Sequence, residues 1–271
     1  MKKLLTVAGS DSSGGAGIQA DLKTFAALGA YGMSCICAVT AQNTRGVSGA
    51  ENMTPAMVKA QLRAVYDDIP PDALKTGMLS SADIVETVAD FLKENKSSPF
   101  VADPVMVATS GDRLLAEDAV EVYKDKLIGL ADLLTPNIPE AEVLSGISIT
   151  DEDSAKAAAE KIMEYGCGAV LIKGGHRVGS AADILRDREG FTVYEGEKIR
   201  TENTHGTGCT LSAALAVMLA RGLGLREAVR QAKKYMTGAI RSAAESGHSV
   251  GHGHGPVDHF WFYGPHWGHM E

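Results

Sequence analysis

The chain has 271 residues, 45% of them hydrophobic and 22% charged, an ordinary globular composition with enough apolar material for a sizeable core. A formal charge of −8 without a long basic cluster argues against a nucleic-acid or anionic-membrane partner. It does not argue against a nucleotide, because a phosphate pocket can be built from backbone N–H groups.

Residues 4–8 are a short apolar run ending at Gly9, read as a buried strand. The run is too short for a signal peptide, no later stretch is long enough to span a bilayer, and the expected location is cytoplasmic. Residues 9–17, GSDSSGGAG, form a loop that opens a helix marked by Ile18, Leu22, Phe25 and Ala26 and closed by Gly29. No Gly-Lys-Ser/Thr follows, so this is not a P-loop. It suits the wall of a small organic substrate, with Asp11 either accepting a substrate hydrogen bond or capping its own loop. Residues 33–39 read as a second strand, with Cys35 and Cys37 on one side as core residues. The four cysteines, Cys167 and Cys209 included, suggest no disulfide framework. Residues 40–46 read as a polar turn. Within it Gln42 offers one acceptor and two donors in a plane, which pairs with an aminopyrimidine edge or merely fills a turn.

Thr54 before Pro55 caps a helix reaching about residue 67. A strand over 73–76, a helix over 81–94, a strand over 100–103, a helix over 117–129 and a strand over 133–135 follow. Helices over 139–145 and 151–165 lead to a strand over 169–173. Residues 183–187 and 191–194 read as a hairpin, and helices over 210–221 and 226–244 close the series. Asp103 and Glu140 each bring a carboxylate to a strand end, as Mg²⁺ ligands, direct or through water, or as helix-start acids. Asn137 bridges to a phosphate or closes a turn, and Lys173 before two glycines can reach a phosphate. His176 and His205 touch a nucleotide or are solvated loop residues. His248, His252, His254, His259, His266 and His269, interleaved with Gly and Pro, read as a flexible, partly aromatic tail rather than a metal site. Strands alternating with helices imply one domain with a mainly parallel sheet covered on both faces, and a ligand site at its carboxyl edge.

The most informative stretch is Asn203-Thr204-His205-Gly206-Thr207-Gly208-Cys209-Thr210, just before an Ala- and Leu-rich helix. The first amides of that helix lack intrahelical partners and point outward as an anion site. Its positive end is expected to lower the pKa of Cys209 and suit it as a thiolate or proton acceptor. A phosphate cradle with a built-in base is what phosphoryl transfer needs. The alternative is a helix cap with an inert buried thiol.

The ordered set made by residues 7–25, 38–44, 75–79, 103–106, 135–137, 173–176 and 203–210 strongly resembles the bacterial and archaeal hydroxymethylpyrimidine/phosphomethylpyrimidine kinases of thiamine biosynthesis, within the ribokinase-like superfamily. The resemblance implies an α/β, ribokinase-like three-layer αβα sandwich with a mainly parallel central sheet. One kinase domain would span 1–259, with 260–271 a tail of unknown role. It also implies a homodimer, ATP with Mg²⁺, and phosphorylation of 4-amino-5-hydroxymethyl-2-methylpyrimidine to its monophosphate and then its diphosphate. By position, Gln42 would pair with the ring, and Asp11, Gly15, Ala16, Gly17, Met78 and Val105 would line its pocket. Asp103 and Glu140 would serve Mg²⁺, and Asn137, Lys173, Thr204 and His205 would lie along ATP. Gly206, Thr207, Gly208 and Cys209 would form the anion hole and base. The alternatives are a pyridoxine/pyridoxal kinase, a kinase of dual specificity, and a binding module without turnover.

Overall fold

The structure is a computed structural model that describes residues 1–96, 99–106, 115–174, 182–246 and 250–263. Its elements are β1 (Lys3–Asp11), α1 (Gly17–Ala27), β2 (Tyr31–Asn43), β3 (Gly46–Asn52), α2 (Pro55–Asp68), β4 (Ala73–Thr76), α3 (Ala82–Asn95) and β5 (Phe100–Ala102). Next comes α4 (Glu117–Val122), which runs on through a π turn at Tyr123–Leu127 and a 3₁₀ turn at Ile128–Leu130. Then follow β6 (Leu133–Leu134), α5 (Ile138–Ser145), α6 (Glu152–Met163), β7 (Val170–Ile172), β8 (Asp183–Asp187), β9 (Gly190–Tyr194), α7 (Thr207–Ala220) and α8 (Leu225–Glu245).

Successive side chains of a strand point to opposite faces, and here they divide into two separate cores. Leu5, Phe100, Ala102, Leu134, Val170 and Ile172 pack with Val58, Leu62, Ile84, Val88, Leu144 and Ile162 of α2, α3, α5 and α6. Leu4, Val101, Leu133 and Leu171 pack with Phe25, Leu211, Leu215, Val229 and Tyr235 of α1, α7 and α8. Two cores on one sheet make a three-layer αβα sandwich, as expected. The described strands run in the order β3-β2-β1-β4-β5-β6-β7-β8-β9. From β2 to β7 all neighbours are parallel, while β3, β8 and β9 join antiparallel. The order reverses at β1 and β4, so the crevice for a ligand opens beyond their carboxyl ends.

Helix α7 is apolar on nearly every side because it lies between the sheet, α1 and α8; ten of its fourteen residues are buried, so its N-terminus is held rigidly. Thr54 caps α2 by accepting from the Met57 N–H at 3.2 Å, with Pro55 in the first turn, as its sequence indicates.

Three expectations are corrected. Residues 40–46 are not a turn: β2 continues to Asn43, and β3 pairs back on it with Gln42 opposite Val47. Because β3 is almost wholly exposed, no apolar alternation marks it in the sequence. The helix expected over 117–129 stays α-helical only to Val122. Finally, residues 250–263 are packed rather than flexible. Val257 and His259 are buried, His259 Nε2 lies 3.1 Å from Thr210 Oγ1, and Tyr263 donates to the Ala27 carbonyl at 3.0 Å. His176, His248, His266 and His269 fall outside the described residues. No helix among the described residues is long and apolar enough to cross a membrane.

Candidate active site

Two loops meet at the carboxyl edge. Gly206 caps α7 at φ +80, and a Cβ there would fall onto the Gly15 carbonyl oxygen, so only glycine lets the loops approach this closely. Thr207, Gly208 and Cys209 then open α7, while Thr210 already donates to Gly206 at 2.9 Å. The first amides of α7 ahead of Thr210 have no acceptor within their own helix, the arrangement an anion cradle requires. Thr204 supports it by accepting from the Thr207 N–H at 3.3 Å.

Asp11 and His205 close the same seam. Asp11 is 2% exposed and accepts from the backbone N–H groups of Ser13 (2.8 Å), Gly15 (3.1 Å) and Ala16 (2.8 Å), while His205 Nε2 lies 2.8 Å from its Oδ2. Burial pushes this carboxyl up, but the bonds from His205, Ser13 and Ala16 outweigh it and hold it well below the usual carboxylate range. Of the two roles read for Asp11, capping its own loop is therefore the one formed, and its oxygens are not left for a ring substrate. His205, expected beside the nucleotide or in solvent, is buried against Gly15 instead. Its N–H donates to Gly255 at 3.0 Å, and the His254 N–H donates to Thr44 at 2.8 Å, so the tail straps the β2–β3 hairpin to the cradle.

Beyond β5, β6 and β7 lie the acids and the lysine. Lys173 Nζ donates to Asp103 Oδ1 at 2.9 Å, and Ser212 of α7 donates to Asp103 Oδ2 at 3.1 Å. A Cβ on Gly208 would stand 3.3 Å from Lys173 Nζ, which places this ion pair against the cradle. Burial pushes Asp103 up, yet Lys173 and Lys75 bring it below its ordinary value. Glu140 and Asn137 make a capping box on α5, Asn137 N–H to Glu140 Oε2 at 2.8 Å and Glu140 N–H to Asn137 Oδ1 at 2.9 Å. Asn137 thus closes the turn that opens α5, its side-chain carbonyl accepting from Glu140. Burial pushes Glu140 up to about 7; Lys173 opposes the shift and the Asp103 charge adds to it. A carboxyl held this high responds to an incoming cation by losing its proton. Asp103 and Glu140 offer two carboxylates, a donor set that suits an ion keeping water and phosphate ligands.

Cys209 is half-buried in the first turn of α7. Its pKa is not lowered as expected. Burial pushes the thiol up to about 11, against the favourable charge of Lys75. A helix end contributes about 0.3–1 kcal/mol, less than the cost of desolvating a thiolate. Met78 is buried over Gly9, a Cβ on Gly17 would also fall on the Gly9 carbonyl oxygen, and Val105 is half-buried. Gln42 is half-buried near the end of β2, its carbonyl accepting from Thr40 Oγ1 at 3.0 Å.

Sequence reasoning missed a fully buried ion pair on β4 and α1. Lys75 of β4 and Asp21 of α1 are both fully buried and bonded at 2.8 Å, and Thr6 donates to the same carboxylate at 2.6 Å. The signal was present: Asp21 stands on the apolar stripe Ile18, Asp21, Phe25, and Lys75 interrupts the buried run of β4.

A family profile described as phosphomethylpyrimidine kinase matches residues 11–258. The thiamine biosynthesis bifunctional protein ThiED of Geobacter sulfurreducens is 52% identical over 94% of the chain, which spans 52% of that longer protein. The hydroxymethylpyrimidine/phosphomethylpyrimidine kinase of Streptomyces coelicolor is 49% identical over 96% of the chain and 95% of its own length. Among solved structures, the ADP complex of Bacillus subtilis pyridoxal kinase superposes with a TM-score of 0.87 at 38% identity, covering 97% of the chain and 99% of its own.

Proposed function

The chain belongs to the phosphomethylpyrimidine kinase family and is a phosphotransferase, and from that premise we propose that it phosphorylates 4-amino-5-hydroxymethyl-2-methylpyrimidine twice, with ATP as donor, as a step of thiamine biosynthesis. The observation that carries this reading is one thiol in the first turn of α7, with the Lys173–Asp103 pair against the same cradle. The terminal phosphoryl group of ATP rests on the amides of 206–209 and on Lys173, where fixed donors stabilise charge without reorganising. Asn137 and Thr204 lie along the nucleotide. Asp103 and Glu140 would hold Mg²⁺, directly or through water, and the ion would neutralise phosphate charge. The ring lies between Gln42, Met78, Val105 and the wall of Gly15, Ala16 and Gly17.

In the first reaction the substrate hydroxyl oxygen forms a bond to the γ-phosphorus as the bond to the bridging β–γ oxygen breaks. Cys209, as the thiolate, takes the hydroxyl proton. In the second reaction the nucleophile is a phosphate oxygen already ionised at neutral pH, so the base has little to do.

Release of ADP measured with the pyrimidine and Mg·ATP tests this reading. Two equivalents of ADP per pyrimidine are expected, and none would sink it. The likeness to a pyridoxal kinase favours a second reading, in which pyridoxal is also accepted through its hydroxymethyl group. It would yield one ADP, and comparing kcat/KM on the two rings decides between them. We also infer a homodimer, for which sedimentation should return twice 28.5 kDa.

A further inference from the structure

We propose that Thr44, gripped by the chain segment 251–255, is a positioning residue that holds Gln42 in place relative to the phosphate cradle. The inference rests on the reading of Gln42 as the ring contact. Strand β1 ends its pairing with β2 at Asp11 opposite Thr40, so residues 41–47 overhang the sheet and pair only within their own hairpin. A two-stranded hairpin is marginally stable by itself in water, so Gln42 needs support from outside the sheet. The Ser12 hydroxyl gives part of it, accepting from the Gln42 N–H at 2.8 Å and donating to its backbone carbonyl at 2.7 Å. The rest comes from the tail. The His254 N–H donates to the Thr44 carbonyl at 2.8 Å, and the His252 and Gly253 N–H groups donate to Thr44 Oγ1 at 3.2 and 3.1 Å.

The segment is shaped for this grip. Residues 251, 253 and 255 are all glycine, and a Cβ on each would strike a neighbour: the Thr44 hydroxyl, the Thr44 carbonyl oxygen and the Asn203 side-chain oxygen in turn. Its other end is tied to the cradle loop. His205, one residue before Gly206, donates its N–H to the Gly255 carbonyl at 3.0 Å and forms an isolated bridge with Pro256. Val257 is then buried in the core shared by α7 and α8, the Asp258 N–H donates to the Ala239 carbonyl at 3.1 Å, and Tyr235 donates to the His259 carbonyl at 2.7 Å. The overhanging hairpin is therefore joined to two buried helices through the loop that opens the cradle. A misplacement of about 1 Å can cost on the order of 100-fold in rate, so a hairpin released from this strap would hold the ring poorly for transfer.

The test uses Gly253→Ala, Thr44→Val and Thr44→Ser. Gly253 lies outside the left-handed region, so Gly253→Ala probes the contact and not backbone strain. Gly253→Ala should raise the pyrimidine KM about tenfold and Thr44→Val about fivefold, with the KM for ATP within about twofold of the wild type. Thr44→Ser keeps the hydroxyl acceptor and should stay within about twofold throughout. A loss of stability alone would lower the active fraction without moving either KM. Because the strap acts through Gln42, Gly253→Ala added to Gln42→Leu should raise the pyrimidine KM by less than about threefold more. Full additivity in that double variant, or a wild-type pyrimidine KM in the strap variants, would overturn the proposal. Hydrogen exchange in the ligand-free protein reads the grip without turnover: amides of 42–47 should exchange about tenfold faster in Gly253→Ala and Thr44→Val, and those of α7 at the wild-type rate. Unchanged exchange in the hairpin would overturn it too. Thr44→Val introduces no clash and carries both measurements if Gly253→Ala fails to fold. A wild-type protein that forms no ADP would end the kinase reading while exchange still decides the grip, so the two failures are distinguishable.

Discussion

At the scale of single residues, the proposed chemistry turns on Cys209. Because burial pushes its thiol up to about 11, only a small fraction is thiolate at neutral pH. That fraction grows tenfold per pH unit below the pKa. The first phosphorylation should therefore accelerate about tenfold per unit between pH 7 and 9, while Cys209→Ala should flatten the profile and cost about 100-fold or more at pH 8. The second phosphorylation should change little in that variant, and equal losses in both steps would show that the thiol is not the base. Gln42→Leu should raise the KM for the pyrimidine about tenfold with the KM for ATP unchanged; an unaltered pyrimidine KM removes Gln42 from the ring site. The sequence revealed where these groups stand but not their charge. A thiol after Gly-x-Gly at a helix start is a local pattern, whereas its pKa depends on burial among α1, β4 and α7, which no local pattern records. Asp11 shows the same limit: its loop was legible, yet its His205 partner lies 194 positions away.

At the scale of elements, two glycines with nearly the same backbone separate conformation from close approach. Gly206 (φ +80) begins α7 against the Gly15 carbonyl, while Gly146 (φ +72) ends α5 with nothing near its Cβ position. Left-handed strain alone costs about 1–2 kcal/mol. Gly146→Ala should lose about that much stability with activity intact. Gly206→Ala must also push the two loops apart, and both phosphorylations should fall by about 100-fold. Kinase assays and urea unfolding on the pair provide the check; near-wild-type turnover in Gly206→Ala would mean the loop contact is dispensable. The helices with caps were legible because Thr54-Pro55 and the Asn137–Glu140 box are local chemistry. Strand β3 was not, since an exposed edge strand carries no hydrophobic period.

At the scale of the molecule, the αβα frame collects acids from distant strand ends into one low-dielectric site, and this ties stability to pH. Glu140 is raised from 4.5 to about 7, so in metal-free solution the folded state holds a proton that the unfolded chain has released between those values. The folded state binds more protons there, so its stability falls as pH rises from 4.5 to 7, and the full cost remains above 7. Asp11 acts in the opposite sense: its depressed pKa gives stability that is present above about 3.8 and lost only as pH falls further. His259, whose pKa burial lowers from 6.5 to about 4, adds stability as pH rises through part of the Glu140 window, so Glu140 is read as the difference between the wild type and its own variant. In EDTA, Glu140→Gln should gain on the wild type by up to about 3 kcal/mol between pH 5 and 7.5, since glutamine keeps the capping geometry without the charge. Urea unfolding at the two pH values measures it, and a constant difference would mean Glu140 is ionised throughout. Adding Mg·ADP should shrink the gap at pH 7.5, because the cation stabilises the carboxylate in the wild type alone. A site that weakens its own fold until it is loaded is what a buried acid awaiting a cation should look like.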